Sequence, residues 1–315
     1  MQFLCCCRTQ QIETIHFHPV TLEDKRWVDR ILRLEDSRST DFCFTSILVW
    51  NDTYHQQLAA FGDRLLYKLF YHGAPFYGFP VGRGPLRPVI CALYCDAETD
   101  GVPLKISGIT AQNYQALEEE FPGQFEFTAD TFAFDYVYEA ESLATLAGKK
   151  LSAKRNHINR FIENNPDWAF EPIRMETLLE CVFMTREWAR HHQKDETFAA
   201  ELLALDIAFA NYDALRLEGG LIRSGGKVVA FAIGEPINSD TYIVHFEKAF
   251  SDIQGAYPMI NREFARWICA THPHIRYINR EDDLGIESLQ RAKRSYYPVF
   301  MVEKYSAVWK GAEPL

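Results

Sequence analysis

Between residues 23 and 34 the apolar positions Trp27, Val28, Ile31 and Leu32 recur at helical spacing on one face. The apolar run 41–50 has no clear period, and its type stays open. Residues 57–60 and 65–71 flank the turn pair Gly62-Asp63 and predict a hairpin. A third strand over 75–80 runs into Gly82-Arg83-Gly84-Pro85. A helix, a short strand at 104–106, a helix over 111–120 and alternating segments at 125–127 and 132–138 complete the first half.

Past Gly148-Lys149-Lys150 the composition shifts. Residues 152–164 predict a helix that ends before Asn165-Pro166, because the residue preceding a proline is disfavoured in helical conformation. Amphipathic helices follow over 175–192 and 198–212. The period then drops to two: strands at 217–223, 228–235 and 241–250 are joined by Ser224-Gly225-Gly226-Lys227 and Asn238-Ser239-Asp240. A loop over 251–257 leads to a helix over 258–270, with Pro258 at its first position. A strand at 275–280, a helix at 286–297 and a strand at 299–305 close the chain. The pattern predicts a leader over 1–15 and α/β (α+β) domains over 16–147 and 148–315. Each domain has a mixed, mostly antiparallel sheet, and the first is a blurred copy of the second.

Composition narrows the class. The 315 residues are 47% hydrophobic, 24% charged and 14% aromatic, ordinary globular usage with aromatic-rich cores. A membrane-spanning helix needs about 20 consecutive apolar residues, and the best run, 42–50, is too short. The N-terminus lacks the basic start and apolar stretch of a signal peptide. The triplet Cys5-Cys6-Cys7 offers thiols to a metal or a lipid, but no His or further Cys stands at ligand spacing, and no metal site is expected. Cys43, Cys91, Cys95, Cys181 and Cys269 lie among apolar residues and read as small buried hydrophobes in a reducing, cytoplasmic compartment. A net charge of −10 opposes general adhesion to nucleic acid or anionic membrane, so an anionic partner must meet a local basic patch.

Several constellations carry candidate chemistry. Strict alternation over 241–250 puts Tyr242, Val244, Phe246 and Phe250 on one face, interrupted by Lys248, and His245 and Glu247 together on the other. That pair fits a general base with an orienting carboxylate, or a buried polar pair fixing a helix layer. Arg280, Glu281, Asp282 and Asp283 stand at a strand end, where ligands bind in open α/β sheets. One of the aspartates fits equally well as a helix cap, and the acidic end suits a cationic group. Lys293 and Tyr296 share a helix face three residues apart. The phenol is a candidate proton donor and the lysine a candidate phosphate ligand, or both belong to the core. Lys149, Lys150, Lys154, Arg155 and Arg160 form a basic stretch without an acid, a candidate phosphate or RNA contact or a solvated face, with Ile158, Phe161 and Ile162 as its buried stripe. No Ser-His-Asp set, zinc spacing or P-loop is visible.

Two segments carry a family resemblance. One is Asp135-Tyr136-Val137-Tyr138 with Gly148-Lys149-Lys150-Leu151 and Lys154-Arg155-Asn156-His157-Ile158-Asn159-Arg160-Phe161; the other runs from Tyr277 through Asn279-Arg280-Glu281-Asp282-Asp283-Leu284-Gly285 to Glu287. Together they resemble bacterial proteins related to the C-terminal catalytic domain of phosphatidylglycerol lysyltransferase, over nearly the whole chain after Phe17. The lysyltransferases carry a large membrane domain, which has no counterpart in this sequence. The resemblance implies two GNAT-like acyltransferase domains in tandem. It also implies kinship with Fem-type transferases, which move amino acids from aminoacyl-tRNA onto cell-wall precursors. In such a fold the central strand splays from its neighbour and the acyl donor enters there, beside His245 and Glu247. Acetyl-CoA use needs a glycine-rich loop whose N–H groups cradle pyrophosphate at a helix start. The matching segment, Gln254-Gly255-Ala256-Tyr257-Pro258-Met259, has one glycine, and Pro258 lacks an N–H, so no coenzyme A cofactor is expected. The resemblance implies transfer of an aminoacyl group from aminoacyl-tRNA to an amine or hydroxyl acceptor, lipid or cell-wall related. A non-catalytic binding module for a small metabolite or peptide is the alternative.

Overall fold

The computed structural model describes residues 14–190 and 196–311. Cys5-Cys6-Cys7, the leader up to residue 13 and the end of the helix predicted over 175–192 lie outside them. Contacts group Met1–Phe134 with Val302–Leu315 as one unit and Asp135–Met301 as a second. This differs from a division at 147/148 at both ends of the second unit, for reasons that lie in strand pairing.

In the first unit, strands β1 (His18–Pro19), β2 (Gln57–Phe61), β3 (Arg64–Tyr71), β4 (Ala74–Gly78), β5 (Val81–Gly82), β6 (Lys105–Thr110) and β7 (Phe125–Ala129) form one sheet. Its helices are α1 (Lys25–Glu35), α2 (Phe44–Val49), α3 (Asn51–Tyr54), α4 (Arg87–Asp100) and α5 (Ala111–Glu120). The apolar run left open in the sequence is α2. It buries Phe44, Thr45, Ile47 and Val49, too much of its circumference to leave a helical period. The predicted hairpin is β2–β3, paired from Gln57↔Lys68 to Phe61↔Arg64. Strand β4 pairs in parallel with β6, and α4 lies between them in sequence as the crossover.

The second unit begins with β8 (Asp135–Glu139) and continues through α6 (Ala140–Thr145), α7 (Ser152–Asn164), β9 (Ala169–Pro172), α8 (Met175–Arg190), α9 (Glu196–Ala210) and α10 (Tyr212–Leu215). Then come β10 (Glu218–Ser224), β11 (Lys227–Pro236), β12 (Thr241–Ala249), α11 (Ala256–Thr271), β13 (Tyr277–Asn279), α12 (Glu287–Arg294) and β14 (Phe300–Val302). The sheet order is β14-β8-β13-β12-β11-β10-β9. Strands β9 to β12 are antiparallel neighbours, and β12–β13 is parallel. Strand β8 belongs to this sheet, paired with β13, which sets the unit boundary at Asp135 rather than at the composition shift. The single strand predicted over 299–305 is two strands. Strand β14 stays in the second sheet, whereas β15 (Lys304–Trp309) returns to the first, between β6 and β7. Helix α11 starts two residues before Pro258, which therefore lies inside the first turn.

One irregularity positions the site. Ile233 is opposite Phe246, yet the next residue, Gly234, is opposite Val244, so His245 is the extra residue of a β-bulge. A Cβ on Gly234 would collide with the carbonyl oxygen of Ile243, so the close approach requires glycine there. The bulge shifts the alternation of β12. Tyr242 packs on Phe264 of α11, and past the bulge Glu247 also points to α11, through Asn261. Lys248 turns to the opposite layer, 4.1 Å over the Trp188 ring of α8 and 2.6 Å from Glu201 of α9.

Candidate active site

Strands β12 and β13 pair only from Thr241↔Tyr277 to Ile243↔Asn279, while β12 runs on to Ala249. In the gap that opens, Glu247 and Arg280 face each other, Oε1 to Nη2 at 2.9 Å. The Glu247 carboxylate accepts a second hydrogen bond, from Asn261 Nδ2 at 3.1 Å. The Arg280 guanidinium lies 5.0 Å from the ring centroid of Tyr296 and 5.7 Å from that of Tyr138. Burial opposes the arginine's charge, but Glu247 more than offsets it and holds the pKa above its ordinary value. Its Nη1 is buried with no partner, and so is Oδ1 of Asn261.

Helix α7 delivers Lys154 to this cluster. Leu151, Lys154, Ile158 and Phe161 recur at helical spacing, and all but Lys154 are fully buried. Lys154 thus stands on the inward stripe of the basic helix, with its ammonium 4.0 Å from the Tyr296 ring. Burial, aided by the Arg280 charge and partly opposed by Glu247, pushes its pKa down to about 8. The Tyr296 phenol is held above its ordinary value, chiefly by burial.

The other predicted residues divide by location. His245 does not pair with Glu247, because the bulge separates them. Its Nδ1 lies 2.9 Å from Glu281 and its Nε2 3.3 Å from Glu235. Both ring nitrogens thus face carboxylates of the protein, and neither is directed toward Glu247 or Arg280. Asp283 is buried, accepting from the Tyr136 hydroxyl at 2.6 Å and from Gly285 N at 2.9 Å, and Asp282 accepts from Leu284 N. Neither caps α12, whose N-cap is Ile286. Lys293 is buried, donates to the carbonyls of Arg280 and Asp282, and has its pKa pushed down to about 8 by burial and by Arg280. It braces the loop that carries Arg280, in which Glu281 and Leu284 adopt positive φ. Arg155 is tied to the carbonyls of Leu146 and Gly148, whereas Lys149, Lys150 and Arg160 are exposed.

Sequence reasoning missed Asn261 and Tyr138. A signal for Asn261 existed: it is the polar member of an otherwise apolar run, Met259, Ile260, Phe264, Ala265 and Ile268, on one helix. At the start of α11, Gly255 has φ 86° and a Cβ there would collide with the carbonyl oxygen of His157, so the α7 backbone packs directly against this helix end. A separate cavity of about 710 Å³ lies between α8, the β10–β11 turn and the loop after β12, and contains none of the predicted site residues. In the first unit the loop between β4 and α4 is held by side chains of α1 and β3. Glu35 accepts from Gly82 N at 2.7 Å, and Arg64 donates to the carbonyls of Pro80 and Gly84.

Comparison with known proteins agrees with this architecture. A conserved protein of unknown function from Bacteroides thetaiotaomicron is 40% identical, with a TM-score of 0.89 over 94% of this chain and 100% of its own. The structure of L-PGS from Bacillus licheniformis superposes with a TM-score of 0.61 at 17% identity, over 96% of this chain and 95% of that one, a likeness of fold. An uncharacterized protein from Mycoplasmoides gallisepticum is 26% identical over 180 residues, so the chain spans about half the length of that curated relative. No described helix is long and apolar enough to cross a membrane. The family described as phosphatidylglycerol lysyltransferase, C-terminal, matches residues 32–308, and the chain belongs to that family.

Proposed function

We propose that the second unit transfers an aminoacyl group from aminoacyl-tRNA to an amine or hydroxyl acceptor, at the opening between β12 and β13. The observation that carries this reading is the Arg280 guanidinium, clamped by Glu247 through Nη2, whose Nη1 is buried and without a partner. A fixed, desolvated donor of this kind suits the oxygen that becomes negative when an ester carbonyl is attacked. Lys154 is the nearby group whose pKa of about 8 lets it take the proton of the attacking nucleophile. Tyr296, kept protonated by burial, is suited to protonate the departing ribose oxygen, and Lys154 then returns the proton to the phenol. His245 and Lys293 act as positioning residues through the loop of residues 280–283. Charged tRNA as donor implies work in the cytoplasm.

The test is transfer of radiolabelled amino acid from a mixed pool of charged tRNA, with lipid extract or cell-wall precursor as acceptor. Arg280→Lys keeps the charge but removes the free N–H, and should lower transfer about 100-fold, the loss typical of one oxyanion donor. Wild type that releases no amino acid from the pool would sink the reading. The binding-module alternative is favoured by the Tyr296 ring, which is buried against Lys154 and Arg280. It gains if Tyr296→Ala increases small-molecule binding while transfer stays undetectable in every variant.

A further inference from the structure

Glu247 holds two neighbours by one end each. Its Oε1 takes Nη2 of Arg280, and its Oε2 takes Nδ2 of Asn261. The opposite ends of both neighbours, Nη1 of Arg280 and Oδ1 of Asn261, are buried and without partners. The orientation of the amide follows from chemistry: a carboxylate can only accept, so the Asn261 NH₂ must face it and the oxygen must face away. Asn261 is only 5% exposed. A buried orphan costs free energy unless something satisfies it. Here there are two, of opposite polarity, anchored to one carboxylate.

We infer that this pair is a subsite for the shared head of aminoacyl groups: Arg280 Nη1 donates to the acyl carbonyl oxygen, and Asn261 Oδ1 accepts from the α-amino nitrogen. The inference rests on the aminoacyl-transfer reading and adds to it a requirement for a free α-amino group. Two neighbouring polar groups of one small ligand, a carbonyl acceptor and an N–H donor one carbon apart, match the two orphans in kind. The α-amino nitrogen carries N–H donors whether protonated or neutral, so the match holds in both states. The side chain of the amino acid takes no part, so the subsite recognises the class and leaves the choice among amino acids to other contacts.

The probes are the amides of the twenty amino acids, which keep the carbonyl and the α-amino group, titrated calorimetrically into the full chain. For each amide that binds, the deamino analogue, with hydrogen in place of the amino group, is titrated beside it. At least one amide should bind wild type, and its deamino analogue at least tenfold more weakly. In Asn261→Ala that discrimination should disappear, a coupling between one ligand atom and one residue that a merely structural asparagine does not produce. Equal binding of amide and deamino analogue to wild type overturns the inference, without any variant having to fold. It is also overturned if a folded Asn261→Ala keeps the discrimination, or if none of the twenty amides binds. A protein that discriminates the amides but transfers nothing from charged tRNA keeps the subsite and loses the reaction. Transfer without amide discrimination has the reverse meaning.

Discussion

An ammonium group 4.0 Å from a tyrosine ring and close to a guanidinium does not titrate like a lysine in water. If Lys154 takes the proton of the nucleophile, transfer should rise with pH and level off above about 8. Lys154→Met should lower the plateau about 100-fold and remove the rising limb. A pH–rate profile of wild type with the same slope as the variant would remove Lys154 from the chemistry. The depressed pKa also acts on stability. Between about 8 and the unfolded value of 10.5, the unfolded chain holds a proton that the folded one has released, so stability from Lys154 increases with pH across that window. The basic stretch was legible in the sequence as a cluster, but net charge alone cannot divide it. What sorts Lys154 from Lys149, Lys150 and Arg160 is its place on the stripe of Leu151, Ile158 and Phe161, where helical period and burial outweigh charge. Arg280 was legible as a strand-end residue. Its pairing with Glu247 was not, because it depends on how far β13 follows β12.

Among the elements, α7 was readable to the residue, since Asn165-Pro166 terminates it and its apolar spacing is regular. The three strands β10 to β12 were readable from alternation and turn residues. The bulge at His245 was not, because period-two reasoning assumes an uninterrupted ladder and a single inserted residue exchanges the faces beyond it. A mark of it does stand in the sequence: Gly234 within an otherwise apolar strand. Gly234→Ala should therefore be costly well beyond its size. Its Cβ collides with backbone, so we expect about 1–3 kcal/mol of destabilisation. The measurement is denaturant unfolding of this variant beside Lys227→Ala, an exposed position at the start of the same strand. Equal losses would mean that the bulge is not what Gly234 serves.

At the scale of the molecule, a net charge of −10 means that an RNA contact needs a local basic patch, and Lys149, Lys150 and Arg160 around α7 are exposed and close in sequence. Reversing Lys149, Lys150 and Arg160 to glutamate should weaken binding of charged tRNA and flatten its salt dependence, by a slope of about 2 on logarithmic axes for three single-strand phosphate contacts. Arg155 does not belong in that set, since its guanidinium holds backbone carbonyls. Filter binding at several salt concentrations measures both quantities, and an unchanged slope would place the RNA elsewhere. The tandem α/β plan was visible in the repeated order of helices and strands. The exchange at the end of the chain was not, since β14 and β15 read as one run and only Glu303 separates two sheets. That exchange governs how the protein can be made. As the chain leaves the ribosome, the strands up to β7 emerge first, but the slot between β6 and β7 waits for residues 304–309, translated after the entire second unit. Until then two strand edges stand open in the middle of the first sheet, and open edges are where foreign strands attach. Maturation is thus ordered from the inside outward: the later-encoded unit can close on its own strands, and the earlier one is completed last.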